Sequence, residues 1–136
     1  MNIKWLGHAS FFIRTRGKRI YIDPYVGDYS EKADLVLITH GHGDHCDLEK
    51  LSMIRTPETV ILTSKACAEG IPRDNIRTMA PGDVQEFDGV TIRAVEAYNF
   101  KRFRSPGVPF HPQGTQVGFI VELEGKRIYH AGDSDY

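Results

Sequence analysis

The stretch from Asp34 to Asp47 restricts the fold of this chain more than any other. Asp34-Leu35-Val36-Leu37-Ile38 is an apolar run that reads as a buried strand. It leads without a spacer into Thr39-His40-Gly41-His42-Gly43-Asp44-His45-Cys46-Asp47, which carries three of the six histidines. Leu48, Leu51 and Ile54 follow at helical spacing, so a helix is predicted to start near Asp47. The histidines and carboxylates therefore lie between the end of a strand and the start of a helix. Gly41 and Gly43 let the backbone there take conformations that other residues resist. His40 and His42, two apart in extended chain, can point to one side. Asp44 and His45 project from the start of the helix, where they can face a second ion. Imidazole and carboxylate suit zinc and similar divalent metals. A single such histidine is more often structural or solvated. His40, His42, Asp44 and His45 together on a glycine-loosened turn predict a metal centre.

Short strands surround that stretch. Ile3–Trp5 and Ser10–Arg14 flank a Gly7-His8 turn, and Arg16-Gly17 forms a hairpin turn into a strand over 18–23, which Pro24 ends. The polar residues from Gly27 to Lys32 are a loop. Val60-Ile61-Leu62 is another apolar strand, and Ser64 caps a short helix closed by Gly70 and Pro72. Pro81-Gly82 and Asp88-Gly89 are turns between strands, the alternating Val90–Ala97 among them. From Tyr98 to Thr115 runs a loop rich in Pro, Gly and Arg, long enough to suggest function. Gln116–Leu123 and Lys126–Tyr129 make a final hairpin through Glu124-Gly125. Strands interrupted by two helices predict a mixed α/β (α+β) layer architecture in a single domain, 1–136. Residues 11–21 align without a gap on 119–129, both ending Gly-Lys-Arg-Ile-Tyr. The echo reflects either two hairpins that converged or two similar halves.

Charge and composition exclude some partners. Seventeen basic and 18 acidic side chains leave a formal net charge of -1, which gives no electrostatic footprint for nucleic acid. No run approaches the ~18 apolar residues of a membrane span, and no membrane partner is expected. The first residues lack the apolar core of a secretory signal. Two cysteines, Cys46 and Cys67, make no disulfide framework, so a reducing cytoplasm is the expected location.

His40-x-His42-x-Asp44-His45 resembles the signature of the metallo-β-lactamase-fold hydrolases. That resemblance implies a four-layer αβ/βα sandwich carrying one or two metals between its sheets. Trp5-Leu6-Gly7-His8-Ala9-Ser10 and Asp23-Pro24 resemble the branch that contains ascorbate phosphate lactonases. His at position 42 argues against the flavodiiron branch, which has Glu there. Cys46-Asp47-Leu48 argues against the glyoxalase type, which has glycines after the Asp-His pair. His130-Ala131-Gly132-Asp133 resembles the motif whose Asp bridges the metals, so Asp133 takes that role and His130 stands beside it. The third ligand of the first metal is His111, within Phe110-His111-Pro112, or Asn99. Imidazole is the better zinc ligand, which favours His111. His8 and Asp23 would orient ligands or substrate, with a purely structural role for His8 equally open. Lys101, Arg102 and Arg104 would draw in an anionic substrate or simply form a solvated loop.

The resemblance implies an enzyme, a hydrolase with one or two divalent ions, zinc first and manganese or iron as alternatives. His40, His42 and His111 would hold the first ion; Asp44, His45 and Asp133 the second. A bound divalent ion lowers the pKa of its water from ~15.7 towards ~7. Asp44 or Asp133 would orient that water and accept its proton. The expected substrate is a small molecule with an ester, lactone or phosphoester bond. A metal-binding module without turnover is the alternative, and a nuclease of the same fold a weaker one. Domains of this family run on beyond the last hairpin. The chain is therefore expected to be truncated after the start of its second half, and to self-associate through an exposed sheet face.

Overall fold

The computed structural model describes residues 2–39, 47–71, 75–97, 103–105, 108–109 and 116–131. Strands β1 (Asn2–Gly7), β2 (Ser10–Thr15) and β3 (Lys18–Ile22) form an antiparallel meander. β4 (Leu35–Ile38), β5 (Val60–Thr63) and β6 (Ile76–Thr78) then join in parallel, giving one six-stranded sheet in sequence order. Helix α1 (Leu48–Ile54) connects β4 to β5, and α2 (Lys65–Ala68) connects β5 to β6. Parallel neighbours need such crossovers because a tight turn can only reverse the chain. β7 (Val84–Phe87), β8 (Val90–Ala97), β11 (Gln116–Leu123) and β12 (Lys126–His130) build an antiparallel sheet in the order β12-β11-β8-β7.

The four residues of β4 are buried on both faces, which is why they read as an unbroken apolar run. Leu35 and Leu37 join Ile13, Ile20, Ile22 and Leu62 in a core shared with Ile92, Val117, Phe119 and Val121 of the second sheet. Val36 and Ile38 point the other way, into a second core with Leu51 and Ile54 of α1 and Cys67 of α2. Helices, first sheet and second sheet are thus three stacked layers of the metallo-β-lactamase-like sandwich. A helical cover on the far side of the second sheet is not among the described elements. There Val84 is 48% and Tyr129 56% exposed. Among the described residues, no helix is long and apolar enough to cross a membrane.

Several expectations need adjustment. β3 stops at Ile22, because Asp23 turns into the left-handed region at φ 47° instead of extending the strand. Leu48 is half-exposed, since the seven-residue α1 presents only Leu51 and Ile54 to the sheet. β12 runs one residue further than expected, through His130. Part of the expected loop over 98–115 is a two-stranded ribbon, β9 (Phe103–Ser105) with β10 (Val108–Pro109). Strands of two or three residues are too short to show an alternating pattern. The echoed segments are matching hairpins: Thr15 pairs Lys18 as Leu123 pairs Lys126, and both turns have successive positive φ angles. Thr15 Oγ1 donates to Glu124 Oε2 at 2.7 Å, tying the first hairpin to the turn of the second.

Candidate metal centre

The structure describes the frame around the histidine–aspartate run. His40, His42, Asp44, His45, Asn99, Lys101, Arg102, His111 and Asp133 lie outside the described residues. Arg104 falls in β9, with only its main chain described. Among the described residues, no three His, Cys, Asp or Glu side chains are grouped to hold a metal ion.

Asp23 is the centre of the frame. It is fully buried, and its carboxylate accepts from Thr39 N–H through Oδ1 and from Thr39 Oγ1 through Oδ2, both at 2.7 Å. A charged acceptor makes such bonds about twice as strong as neutral ones. The left-handed φ of Asp23 is tolerated because a short polar side chain suits that region. Its N–H still donates to Leu37 O at 2.9 Å, so the carboxylate reaches past the end of β4 without breaking the ladder. Ser10 Oγ donates to Asp23 O at 2.6 Å and accepts from Tyr25 N–H at 3.2 Å, fixing the turn from the β2 side.

The next residue completes a clasp. Pro24 O accepts from Asp47 N–H at 3.0 Å. Asp47 in turn caps α1, its Oδ1 accepting from Glu49 N–H at 3.0 Å and Lys50 N–H at 3.2 Å. The run over 40–46 therefore leaves from Thr39 and returns at Asp47, with both ends tied to the dipeptide Asp23-Pro24.

Two other segments reach the same place. Thr39 O accepts from Val117 N–H at 2.9 Å, near the start of β11 and six positions after His111. His130, nearly buried at the end of β12, lies with Nε2 2.8 Å from Ala9 O and 3.9 Å from Asp23 Oδ2. A carbonyl only accepts, so Nε2 of His130 carries its proton there. Phe11 packs edge-on against this ring, centroids 5.7 Å apart. Asp133 follows three residues later in the sequence. Of the groups expected to support the ligands, Asp23 and His130 are thus brought together. His8 is exposed at the β1–β2 turn, its ring edge-on to Tyr25 at 5.7 Å and its carbonyl accepting from Trp5 Nε1 at 2.9 Å. Ser10 and Thr39 were not singled out by the sequence, although a hydroxyl residue directly after an apolar strand was a readable sign.

Comparison with known proteins bears on the same frame. Residues 2–136 match the beta-lactamase superfamily domain. The chain belongs to the beta-lactamase superfamily. Within the superfamily, it is 35% identical over 144 residues to a UPF0173 metal-dependent hydrolase of Methanopyrus kandleri, covering 98% of this chain and 62% of that protein. A solved structure of a Parabacteroides distasonis ATCC 8503 protein, assigned by name to the metal-dependent hydrolases, superposes with a TM-score of 0.88 at 30% identity. That alignment covers 97% of this chain and 60% of the other. The diiron β-hydroxylase CmlA of Streptomyces venezuelae shares the fold, with a TM-score of 0.76 at 19% identity over 97% of this chain and 29% of its own. The chain spans about 62% of the length of the curated relatives it matches.

Proposed function

We propose that this chain carries the metal-binding part of a metal-dependent hydrolase. Its substrate class is a small molecule with an ester, lactone or phosphoester bond, as in the ascorbate phosphate lactonase-like branch. The convergence at Asp23 carries the reading: Thr39 bonds its carboxylate and takes the N–H of Val117, and His130 lies 3.9 Å from the same carboxylate. In the sequence these three residues adjoin the His40–His45 run, the segment of His111 and the segment of Asp133. The donor set fits a divalent ion, with His40, His42 and His111 for one site and Asp44, His45 and Asp133 for a second. The clasp at Asp23-Pro24 supports this fit, because it holds Thr39 and Asp47, the residues on either side of the 40–46 run, in place before an ion binds.

A divalent ion held by these residues would supply a lowered water pKa and Lewis-acid polarisation of a carbonyl or phosphoryl. The chain's own residues do the rest. Asp44 or Asp133 orients the attacking water and takes its proton. Asp23 holds the strand end from which His40 follows. Lys101, Arg102 and Arg104 attract an anionic group on the substrate. Names of relatives that say metal-dependent hydrolase support this class of reaction, and the imidazole-rich set favours zinc over manganese or iron. A cytoplasmic setting fits the buried thiol of Cys67. Self-association is part of the proposal, through the face that bears Tyr129 and Val84.

Elemental analysis of protein purified without chelator tests the reading. Metal near or above one equivalent is expected in the parent, with most of it lost in His42→Ala. Hydrolysis of nitrophenyl ester, lactone and phosphodiester substrates is expected to fall with it. A parent chain that holds no zinc, manganese or iron after supplementation refutes the proposal.

A further inference from the structure

We propose that Thr39 is a positioning residue that sets the metal-ligand segments of both sheets at once, an inference that rests on the metal reading above. Thr39 is fully buried and directly precedes His40. Its three polar groups are committed to two partners on different sides. Its N–H and Oγ1 hold the two carboxylate oxygens of Asp23, and its carbonyl takes the N–H of Val117.

The last of these bonds crosses between the sheets. β12 pairs with β11 only from Phe119, opposite His130, onwards. On the same side of β11, two residues earlier, Thr39 takes over where β12 has ended. The end of β4 in the first sheet therefore extends the edge of the second. N–H and C=O of one strand residue point to the same side, so this bond leaves the β8–β11 ladder intact. Val117 also anchors the return of the segment that bears His111. One residue thus fixes where the 40–46 run departs and where the segment of His111 rejoins the sheet.

The main-chain bonds at this position are open to any residue other than proline. The Thr39 hydroxyl also supplies a donor to Asp23 Oδ2. Removing it takes one hydrogen bond from a buried carboxylate and loosens the junction on which both ligand segments hang. Groups standing behind metal ligands typically change metal affinity 10–100-fold when altered.

Cobalt(II) titration of the full chain, read by visible absorption, tests the role of the hydroxyl. Thr39→Val keeps the shape and removes the donor; Thr39→Ser keeps the donor. The parent is expected to bind cobalt, Thr39→Val to bind roughly ten-fold or more weakly with a shifted spectrum, and Thr39→Ser to return close to the parent. In the metal-free chain, the Val117 amide should exchange several-fold faster in Thr39→Val than in the parent or Thr39→Ser. Thr39→Ala, which likewise lacks the hydroxyl donor, is the second probe if Thr39→Val does not fold, and it should weaken and shift cobalt binding in the same direction. A parent that binds no cobalt overturns the metal reading and this inference together. A parent that binds, with Thr39→Val or Thr39→Ala matching it in affinity and spectrum, overturns this inference alone. So does a Thr39→Ser as impaired as Thr39→Val.

Discussion

Replacing Asp23 by alanine tests the frame without any metal present. Two hydrogen bonds to a buried carboxylate disappear, those from Thr39 N–H and Thr39 Oγ1. Bonds to a charged group contribute about 1.5–3 kcal/mol each, and the abandoned donors stay in a dry site. Alanine must also hold the left-handed φ of 47°, at about 1–2 kcal/mol. The sum is roughly 4–8 kcal/mol, comparable to the whole stability of about 5–15 kcal/mol of an ordinary domain. Asp23→Asn should be far milder, about 1–2 kcal/mol. Asparagine tolerates the same φ, its oxygen can accept from Thr39 N–H, and the Thr39 hydroxyl can rotate to accept from the amide. Urea unfolding of parent and variants, followed by two probes, gives the midpoint and the slope that decide this. An Asp23→Ala protein within about 1 kcal/mol of the parent at unchanged slope refutes the reasoning. Equal losses for alanine and asparagine would also refute it.

Two further outcomes are expected. A Cβ on Gly27 would lie 2.6 Å from Leu6 Cβ and 2.9 Å from Leu6 O at a φ of 107°, so Gly27→Ala should cost about 2–5 kcal/mol. Gly125→Ala meets nothing within 4 Å and should cost only the left-handed penalty of about 1–2 kcal/mol; equal urea midpoints for the two would contradict the contact. Burial first, and Glu31 second, push the Tyr21 phenol up to about 12. A phenol raised in the folded state stabilises fully below the unfolded pKa of about 10 and loses that contribution as pH climbs through about 12. The urea midpoint should fall across that window, and less steeply in Tyr21→Phe.

Local chemistry made much of this protein legible from its residues in order. Leu35 to Ile38 needs burial on two faces, so the run itself names a central strand. Ser64 and Asp47 cap their helices with bonds to amides two or three residues on, which are set by neighbouring residues alone. Arg16-Gly17 and Glu124-Gly125 turn tightly for the same local reason. The ligand-type residues from His40 to His45 were readable as a cluster, and their resemblance to a superfamily signature agrees with the match over residues 2–136.

Tertiary structure decided what depends on residues far apart in the chain. Nothing local to Asp23 says that its carboxylate meets Thr39, sixteen positions on, or that Pro24 closes on Asp47. No pattern in β11 shows that Val117 bonds to the first sheet, or that His130 comes to lie beside Asp23. Hydrogen bonds of this kind form only once two cores have stacked the sheets and brought strand ends into register. A sequence records which side chains could make them, and the packing of Leu35, Leu37, Val117 and Phe119 between the sheets determines which ones do.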